Sequence, residues 1–461
     1  MIAPEIFKAY DIRGIVGRTL TMEAARAIGA AIGSEALDRG LNAIVVGRDG
    51  RVSGPELSSA LMHGLIDSGV DVIDIGRAPT PLVYFAAHHL GVGSAVAVTG
   101  SHNPADWNGF KIVLGGETLG GEAIQKLRWR IEEHGYREGR GELRHAEVLD
   151  AYIDRIAGDV HLARPIKLVI DCGNGIAGIV APELFRRLGC AVIELYCEVD
   201  GRFPNHHPDP SRRENLRALQ QAVAANGAEI GLAFDGDGDR LGVVTCDGGI
   251  IWPDRLMMLF AADVLSRVPG GEIVFDVKCS RLLTEAIRQH GGRPVMWRTG
   301  HAPIKARLKE SGAPLAGEMS GHIFFAERWY GFDDGLYAGA RLLEIVARAA
   351  DASAPLLALP DTVATPELNL RMNEGEPKLL VERLLTEGRF PTAQQIVTVD
   401  GVRAEYADGF GLARASNTTP VVVLRFEADD AAALARIQDE FRAAIDAVWP
   451  GLTLDFDHGG H

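Results

Sequence analysis

Three aspartates at alternate positions, Asp235, Asp237 and Asp239, occupy the segment DGDGDR. The glycines between them let the backbone bend, so that the three carboxylates can face one point. Carboxylates without sulfur or imidazole are the ligands that a hard cation such as Mg²⁺ prefers. An EF-hand would need glycine at the sixth position and glutamate at the twelfth, where this chain has Arg240 and Cys246. Because three aspartates ending a buried strand are costly without a cation, the segment predicts a magnesium site.

A second polar segment, TGSHNP, follows an apolar run and carries Ser101 and His102. Gly100 allows a sharp turn there, and Pro104 redirects the chain. A serine on such a turn is either an exposed nucleophile or a helix cap, since serine favours capping positions. The segment alone favours the cap or turn, and the rest of the chain has to decide.

Two further segments offer groups suited to a polyhydroxylated, phosphorylated ligand. GEMSGH places Glu318, Ser320 and His322 at alternate positions, and in an extended segment alternate side chains share a face. RASNTTP combines an arginine with hydroxyl and amide groups, as a phosphate dianion needs, although a hairpin turn with a surface arginine explains it equally well. Its candidate residues are Arg414, Ser416, Asn417, Thr418 and Thr419. KAYDIRG, near the start, adds Tyr10 and Arg13.

The segment DCGNGIAG has the G-x-G-x-x-G spacing of dinucleotide-binding proteins, with Glu198 about 20 residues beyond it. It supports the main rival hypothesis, an NAD-dependent dehydrogenase. Asp171 and Cys172 separate the apolar strand from Gly173, however, and the same position in a later repeat has no glycine. A structural strand-to-helix turn is therefore the favoured interpretation.

These loops recur at the ends of a repeated pattern of strands and helices. Three copies of a β-α-β-α-β unit follow one another, and their third strands run into TGSHNP, DGDGDR and GEMSGH. Alternating strands and helices predict parallel or mixed sheets covered by helices, in which sites form beyond the carboxyl ends of strands. We therefore predict three similar mixed-sheet α/β domains that each offer one loop to a shared cleft.

A smaller α+β unit is predicted after these repeats. A helical pattern from Gly335 to about Ala350 leads into a linker, DASAPLLALPDTVATPELNL. Beyond it we expect strands at QQIVTVDGVRAEY and PVVVLRFEA, with GFGLARASNTTP connecting strands. The expected domains are residues 1–148 with the serine loop, 149–250 with the aspartate loop, 251–360 with GEMSGH and 361–461 with RASNTTP.

Composition narrows the class of partner. The chain has 461 residues, 47% of them hydrophobic, and a net charge of -15, which argues against nucleic acid or an anionic membrane. The sequence predicts no membrane span and no signal peptide, and its five cysteines lack CxxC spacing, so we expect reduced thiols in the cytoplasm. His458 and His461, in the terminal DHGGH, are interpreted as part of a frayed tail rather than as metal ligands.

Together the segments resemble the α-D-phosphohexomutase superfamily, most closely its bacterial phosphomannomutase/phosphoglucomutase group. The resemblance runs from AYDIRG to RASNTTP in the family's order. Aminosugar mutases usually carry glutamine in place of the methionine of GEMSGH, so a hexose mutase is favoured and phosphoglucosamine mutase is the alternative. The resemblance implies four domains around a central cleft. It also implies an enzyme that interconverts hexose 1-phosphate and hexose 6-phosphate.

The resemblance also implies roles for single residues. Ser101 would pass a phosphoryl group to a sugar monophosphate, and the resulting sugar 1,6-bisphosphate would turn around and return its other phosphoryl group. One Mg²⁺ would be held by the three aspartates and a phosphoserine oxygen. The residues implied beside the transferring group are Arg13, His102, Lys111 and Arg240. Those implied to contact sugar or phosphate are Tyr10, Lys278, His301, Glu318, Ser320, His322 and the loop 414–419.

Two other classes of protein stay open at this point. A dehydrogenase would bind NAD and need no Mg²⁺, and a non-catalytic sugar-phosphate sensor would never carry phosphoserine. For the mutase we expect small hexose phosphates as the only partners and a monomeric chain.

Overall fold

Four β-sheets, each with its own helices, make up the computed structural model, which describes residues 2–417 and 419–452. Thr418, His458 and His461 lie outside the described residues. None of the helices in these two ranges is long and apolar enough to cross a membrane.

The first domain carries the serine loop. Its elements are β1 (Ile12–Ile15), α1 (Met22–Asp38), β2 (Ala43–Arg48), α2 (Gly54–Ser68), β3 (Asp71–Arg77), α3 (Thr80–His89), β4 (Ala95–Val98), β5 (Trp107–Leu114), β6 (Glu117–Thr118), α4 (Glu122–Glu132) and β7 (Leu143–His145). Strand β2 pairs in parallel with β3 on one side and β4 on the other, and β5 returns antiparallel beside β4. All four residues of β4 are apolar and buried, as expected for a strand covered on both faces.

The second and third domains repeat this arrangement. The second contains α5 (Leu149–Ala157), β8 (Lys167–Asp171), α6 (Ala181–Arg187), β9 (Ala191–Leu195), α7 (Arg217–Asn226), β10 (Ile230–Phe234), β11 (Leu241–Thr245) and β12 (Ile250–Ile251). The third contains α8 (Pro253–Leu265), β13 (Glu272–Asp276), α9 (Arg281–Gln289), β14 (Arg293–Trp297), α10 (His301–Ser311), β15 (Leu315–Gly317), β16 (Ile323–Phe325), α11 (Gly335–Val346) and α12 (Ala354–Leu357).

The predicted repeat is confirmed at the level of strand order. In each of the three sheets the first strand of the repeat is central, the second and third flank it in parallel, and a fourth strand runs antiparallel to the third. The sequence pattern did not predict this fourth strand. It matters for the site because each functional loop becomes the tip of a hairpin between the third and fourth strands.

The fourth domain is an antiparallel sheet with two helices, which confirms the predicted α+β class. Its elements are β17 (Val363–Ala364), β18 (Leu368–Arg371), α13 (Glu376–Glu387), β19 (Gln395–Val397), β20 (Val402–Tyr406), β21 (Gly409–Ala415), β22 (Val421–Ala428) and α14 (Ala431–Val448). Two details differ from the expectation. The segment GFGLARA is itself strand β21. The predicted linker, DASAPLLALPDTVATPELNL, contains α12, β17 and most of β18.

The apolar cores show how the domains are joined. One continuous cluster, reaching from Val45 to Leu356, includes buried residues of the first three domains. The fourth domain has a separate core between Leu368 and Val448. Its junction with the third domain combines a small apolar cluster of Val277, Phe410 and Leu412 with hydrogen bonds from Arg403 to the carbonyls of Val277 and Cys279.

Candidate active site

Ser101 lies in the turn that joins β4 to β5 and has a φ of 50°, in the left-handed region. No helix begins there among the described residues, so the cap interpretation is wrong. The side chain is also not exposed, since Ser101 has only 2% of its surface accessible. Its Oγ lies 3.3 Å from Asp235 Oδ2 and 3.2 Å from His102 Nδ1. The turn therefore directs the serine hydroxyl towards the aspartate loop.

The three aspartates of DGDGDR follow β10 and are completely buried. One oxygen from each lies within 4.8 Å of one oxygen from the other two. Asp237 Oδ1 has no hydrogen-bond partner among the described residues, while Thr80 Oγ1 donates to Asp237 Oδ2 at 2.6 Å. Burial and the charges of Asp239 and Asp237 raise the pKa of Asp235 well above its usual range. A divalent cation would counter that repulsion and accept the unpartnered oxygen, so the residues fit a metal ion.

Lys111 brings a positive charge to the same cluster. It lies in β5 rather than in a loop, and its Nζ donates to Asp237 Oδ2 at 2.7 Å and to Asp239 Oδ2. Burial lowers the pKa of Lys111, but the two carboxylates outweigh burial and raise it well above the usual value. The ammonium group therefore stays charged.

GEMSGH forms the turn of the β15–β16 hairpin, so the extended conformation expected for it is wrong. The Glu318 N–H donates to the His322 carbonyl at 2.9 Å, which brings the two side chains together across the turn. His322 Nδ1 lies 3.1 Å from Glu318 Oε2, while Ser320 is half-buried at the tip. Glu318 and His322 thus meet through hairpin pairing and not through strand alternation.

His322 also links the third domain to the metal cluster. Arg240 Nε lies 3.0 Å from His322 Nε2, and the same ring nitrogen lies 3.2 Å from Asp239 Oδ1. Burial lowers the pKa of His322, but Asp239 and its hydrogen bond outweigh burial and raise it to about 9. By contrast, burial together with nearby cations lowers the pKa of His102 and His301 well below the usual value, so both stay neutral.

Arg13 and the fourth domain complete the arrangement. Arg13 donates to Asp11 and to the side chain of Asn103 in the serine turn. Tyr10 OH donates to the Thr299 carbonyl at 2.7 Å and accepts from Asn417 Nδ2. These contacts connect the first domain with the third and the fourth.

Among the described residues that are predicted to contact phosphate, one differs in its position from the expectation. Arg414 belongs to strand β21 rather than to the loop that follows, and its Nε donates to Asp400 Oδ2 at 3.0 Å. Ser416 Oγ accepts from the backbone N–H of Thr419 at 3.3 Å and from its hydroxyl at 3.0 Å. Lys278 is buried and donates to Glu367.

Several residues that hold these groups were not predicted from the sequence: Asp49, Arg51, Thr80, Thr99, Glu367 and Asp400. The signal for Asp49 and Arg51 is present as the charged segment GRDGR, which spans the end of β2 and the residues that follow. Nothing in the local sequence marks Thr80, Glu367 or Asp400, because their partners come from distant segments.

The glycines of the dinucleotide-like segment serve packing. A Cβ on Gly178 would lie 2.0 Å from the Cys197 carbonyl oxygen, and one on Gly175 would lie 2.9 Å from the Gly236 carbonyl oxygen in the metal loop. Their close approach to protein backbone agrees with the structural interpretation and does not favour the dehydrogenase.

The fold and the site define a four-domain α/β protein in which a serine turn contacts a buried carboxylate cluster of the metal-binding type. Family models of phosphoglucomutase/phosphomannomutase match almost the whole chain. They are alpha/beta/alpha domain I at residues 4–138, domain II at 150–248, domain III at 252–363 and the C-terminal domain at 367–444. The chain belongs to the phosphoglucomutase/phosphomannomutase family.

Individual relatives agree with this assignment. A protein of Pseudomonas aeruginosa named phosphomannomutase/phosphoglucomutase is 55% identical over 452 residues, covering 98% of this chain and 97% of that protein. A Neisseria gonorrhoeae protein named phosphoglucomutase is 55% identical over 456 residues, covering 97% and 99%. The crystal structure of a phosphoglucomutase/phosphomannomutase family protein from Burkholderia thailandensis matches with a TM-score of 0.95 and 57% identity, covering 99% of this chain and 100% of that one.

Proposed function

We propose that this chain is a hexose phosphate mutase that interconverts hexose 1-phosphates and hexose 6-phosphates, with Ser101 as the phosphoryl carrier. The observation that carries the proposal is the contact between Ser101 Oγ and Asp235 Oδ2 at 3.3 Å. It sets a serine hydroxyl directly against a buried three-carboxylate cluster, which is the arrangement that metal-assisted phosphoryl transfer requires. The names of the relatives support glucose and mannose phosphates as substrates.

The proposed reaction consists of two phosphoryl transfers. In the first, a free hydroxyl of the sugar monophosphate attacks the phosphorus, the bond between phosphorus and Ser101 Oγ breaks, and a sugar 1,6-bisphosphate forms, while the hydroxyl proton ends on Ser101 Oγ. After reorientation, Ser101 Oγ attacks the other phosphorus, and the bond between that phosphorus and its sugar oxygen breaks. The Ser101 proton ends on that sugar oxygen, so that the phosphoserine is restored and the isomeric monophosphate is released. Lys111, Arg13 and Arg240 hold positive charge around the turn and offset the negative charge of the phosphoryl group.

Asp235, Asp237 and Asp239 would hold one Mg²⁺, with a phosphoserine oxygen as a further ligand. When bound, this ion supplies neutralisation of the charge on the transferring phosphoryl group. The protein's own contribution is to fix the carboxylates, through burial and through the hydrogen bond from Thr80 to Asp237.

The four domains, proposed as residues 1–148, 149–250, 251–360 and 361–461, each supply one part of the site. Glu318 and Ser320 would hold two sugar hydroxyls, while Tyr10, Lys278, His301 and His322 would line the cavity. The phosphate that does not react would bind to the residues Arg414, Ser416, Asn417, Thr418 and Thr419. Burial of Arg414 beside Asp400 supports a fixed guanidinium for this purpose.

The proposal is tested by ³¹P NMR of glucose 1-phosphate and mannose 1-phosphate, each incubated with protein, Mg²⁺ and a trace of the corresponding 1,6-bisphosphate. We expect the signal of the 6-phosphate to appear with both sugars. Ser101→Ala should lose nearly all turnover, and its intact mass should lack the added phosphate of the wild-type protein. Asp237→Asn should weaken Mg²⁺ binding sharply. Full turnover by a folded Ser101→Ala variant, or in excess chelator, would contradict the proposal.

Under the same proposal the protein is a cytoplasmic monomer. Its only partners are hexose phosphates, and it binds neither nucleic acid nor a membrane. Size-exclusion chromatography with light scattering tests the monomeric state, since a dimer would have a measured molar mass twice that of the 49.5 kDa chain.

A further inference from the structure

Arg51 is a fully buried arginine whose guanidinium binds the serine turn from behind. Its Nη2 donates to the carbonyls of Ser101 at 2.8 Å and Asn103 at 2.7 Å. Its Nη1 donates to the carbonyls of Trp107 at 2.9 Å and Pro104. One side chain therefore holds four backbone carbonyls of a single turn of seven residues, 101–107.

The other end of the turn is held by the partner of Arg51. Asp49 Oδ2 lies 3.2 Å from Arg51 Nε and accepts from Thr99 Oγ1 at 2.8 Å and from the Gly100 N–H at 3.2 Å. Thr99 Oγ1 in turn accepts the Ser101 N–H at 2.8 Å. The backbone N–H and the carbonyl of Ser101 are thus both fixed by one hydrogen-bonded network of Asp49, Arg51 and Thr99.

The second domain closes over this network. The Phe203 ring covers the guanidinium at 5.0 Å, and a Cβ on Gly201 would lie 2.5 Å from the Cα of Arg51. Inside the turn, a Cβ on Gly100 would lie 2.5 Å from Arg51 Cζ, so only glycine allows this approach. The guanidinium is sealed between two domains, and its hydrogen bonds are therefore strong and fixed in direction.

The backbone of the reacting serine itself needs this support. The left-handed φ of Ser101 is uncommon for a residue other than glycine and needs surrounding contacts to persist. Gly236 of the metal loop approaches the same Ser101 carbonyl, where a Cβ would lie 2.3 Å from the oxygen.

The internal repeat makes the position of Arg51 informative. Asp171 and Asp276 end the first strand of their repeat, Asp49 directly follows the first strand of its own, and all three are buried. The residues two places later are Arg51, Gly173 and Lys278. In the first domain this position thus carries a cation that binds the domain's own functional loop.

We infer that Arg51 is the positioning residue of the phosphoryl carrier: it holds the turn 101–107 so that Ser101 Oγ meets the metal cluster. This inference rests on the proposed function, because it assigns Arg51 to the phosphoryl-transfer step and not to sugar binding.

The test compares Arg51→Lys with Arg48→Lys. Lysine keeps the charge but cannot bind four carbonyls in two directions. Arg48 belongs to the same strand end, and its nearest carboxylate is that of Asp74 at 3.9 Å, so it is a matched control. We expect Arg51→Lys to lower kcat by about 100-fold, as displacement of a reacting group does, while KM for glucose 1-phosphate changes less than about threefold.

Two further readouts separate positioning from general damage. Loading of Ser101 by glucose 1,6-bisphosphate, followed by intact mass, should slow by the same factor as kcat in Arg51→Lys. Mg²⁺ affinity, measured by calorimetry, should stay near the wild-type value in both variants. Should Arg51→Lys not fold, Thr99→Val decides instead, since it removes the acceptor of the Ser101 N–H and the hydroxyl that donates to Asp49, and it should lower kcat by about tenfold.

Wild-type kcat in a folded Arg51→Lys, or in Thr99→Val, would overturn the inference, as would equal losses in Arg51→Lys and Arg48→Lys. A wild-type protein without mutase activity would instead refute the proposed function, so the two failures are distinguishable.

Discussion

Lys111 Nζ and Asp237 Oδ2 lie 2.7 Å apart and join β5 of the first domain to the metal loop of the second. The ammonium group lies among completely buried carboxylates, and within the described part of the chain it is the lysine that contacts both Asp237 and Asp239. It therefore offsets part of their mutual repulsion before any metal binds.

Replacement of Lys111 should make the fold depend on metal. Lys111→Met leaves buried carboxylates without their partner, which costs about 3–5 kcal/mol when one member of a buried pair is removed. We expect its melting temperature in excess chelator to fall well below that of the wild type. The difference in melting temperature should narrow when Mg²⁺ is added in large excess, because an ion that binds the folded state stabilises it. Exposed Lys126→Met is the control. A gap unaffected by Mg²⁺ would show that Lys111 does not stabilise the carboxylate cluster.

Thr80 should tune metal affinity without touching the metal. Its hydroxyl donates to Asp237 Oδ2 at 2.6 Å, and groups that orient metal ligands typically contribute about 10- to 100-fold to affinity. Thr80→Val should therefore raise the dissociation constant for Mg²⁺, measured by calorimetry, by about tenfold. Thr245→Val removes a comparable bond to Asp247 at the far end of β11 and should leave metal binding unchanged. Equal affinities in Thr80→Val and wild type would count against the assigned role of Asp237.

Arg414 should affect substrate binding for both sugar 1-phosphates and sugar 6-phosphates. A phosphate held away from the reacting centre contributes binding energy that positions the sugar. Arg414→Ala should raise KM and lower kcat/KM by at least about tenfold, since a charged hydrogen bond is lost. Phosphoserine content and Mg²⁺ affinity should stay as in the wild type. Arg389→Ala, an exposed arginine of the same domain, is the control, and unchanged kinetics of Arg414→Ala would remove the fourth domain from phosphate binding.

The repeated domains were predictable because their parallel strands are buried on both faces and appear as continuous apolar runs between glycines. The antiparallel strand β5 was not, since it carries Asn108 and Lys111 at buried positions. Polar residues inside a strand suggest a loop until their partners are known. The partner of Lys111 is Asp237, 126 residues further along the chain, and no local pattern contains that information.

In the site, too, features encoded by neighbouring residues were predictable and those that depend on distant partners were not. The three aspartates are identifiable from their local segment, because a carboxylate cluster is encoded by nearby residues, whereas the local segment of Ser101 favours a cap or turn and only the family resemblance makes it the phosphoryl carrier. The meeting of Glu318 with His322 was predicted by strand alternation, yet a hairpin turn produces it. The segment GRDGR marks Asp49 and Arg51 as charged residues, but nothing in the sequence shows that Arg51 binds the backbone carbonyls of the distant turn that carries Ser101.

Asp334 should make stability depend on pH. It is buried, caps helix α11 by accepting from the Tyr337 N–H at 2.8 Å, and also accepts from Tyr152 OH at 2.9 Å. Burial raises the pKa of Asp334 to about 7, against the opposing effect of these hydrogen bonds. An unfolded aspartate has a pKa of about 3.9, so between about pH 4 and 7 the folded state binds more protons than the unfolded state. Stability associated with Asp334 must therefore fall as pH rises through this window.

Asp334→Asn keeps a capping oxygen and removes the charge, so it should abolish this pH dependence. The variant should melt at a higher temperature than the wild type, by a difference that grows between pH 5 and 7 and reaches about 2–8 °C at pH 8. Asp430→Asn makes the same change in the exposed cap of α14 and is the control. Differential scanning fluorimetry at intervals between pH 5 and 8 measures all three proteins. A constant difference between Asp334→Asn and the wild type would mean that Asp334 does not titrate in this range, because only a group that gains or loses its proton there changes the slope of stability against pH.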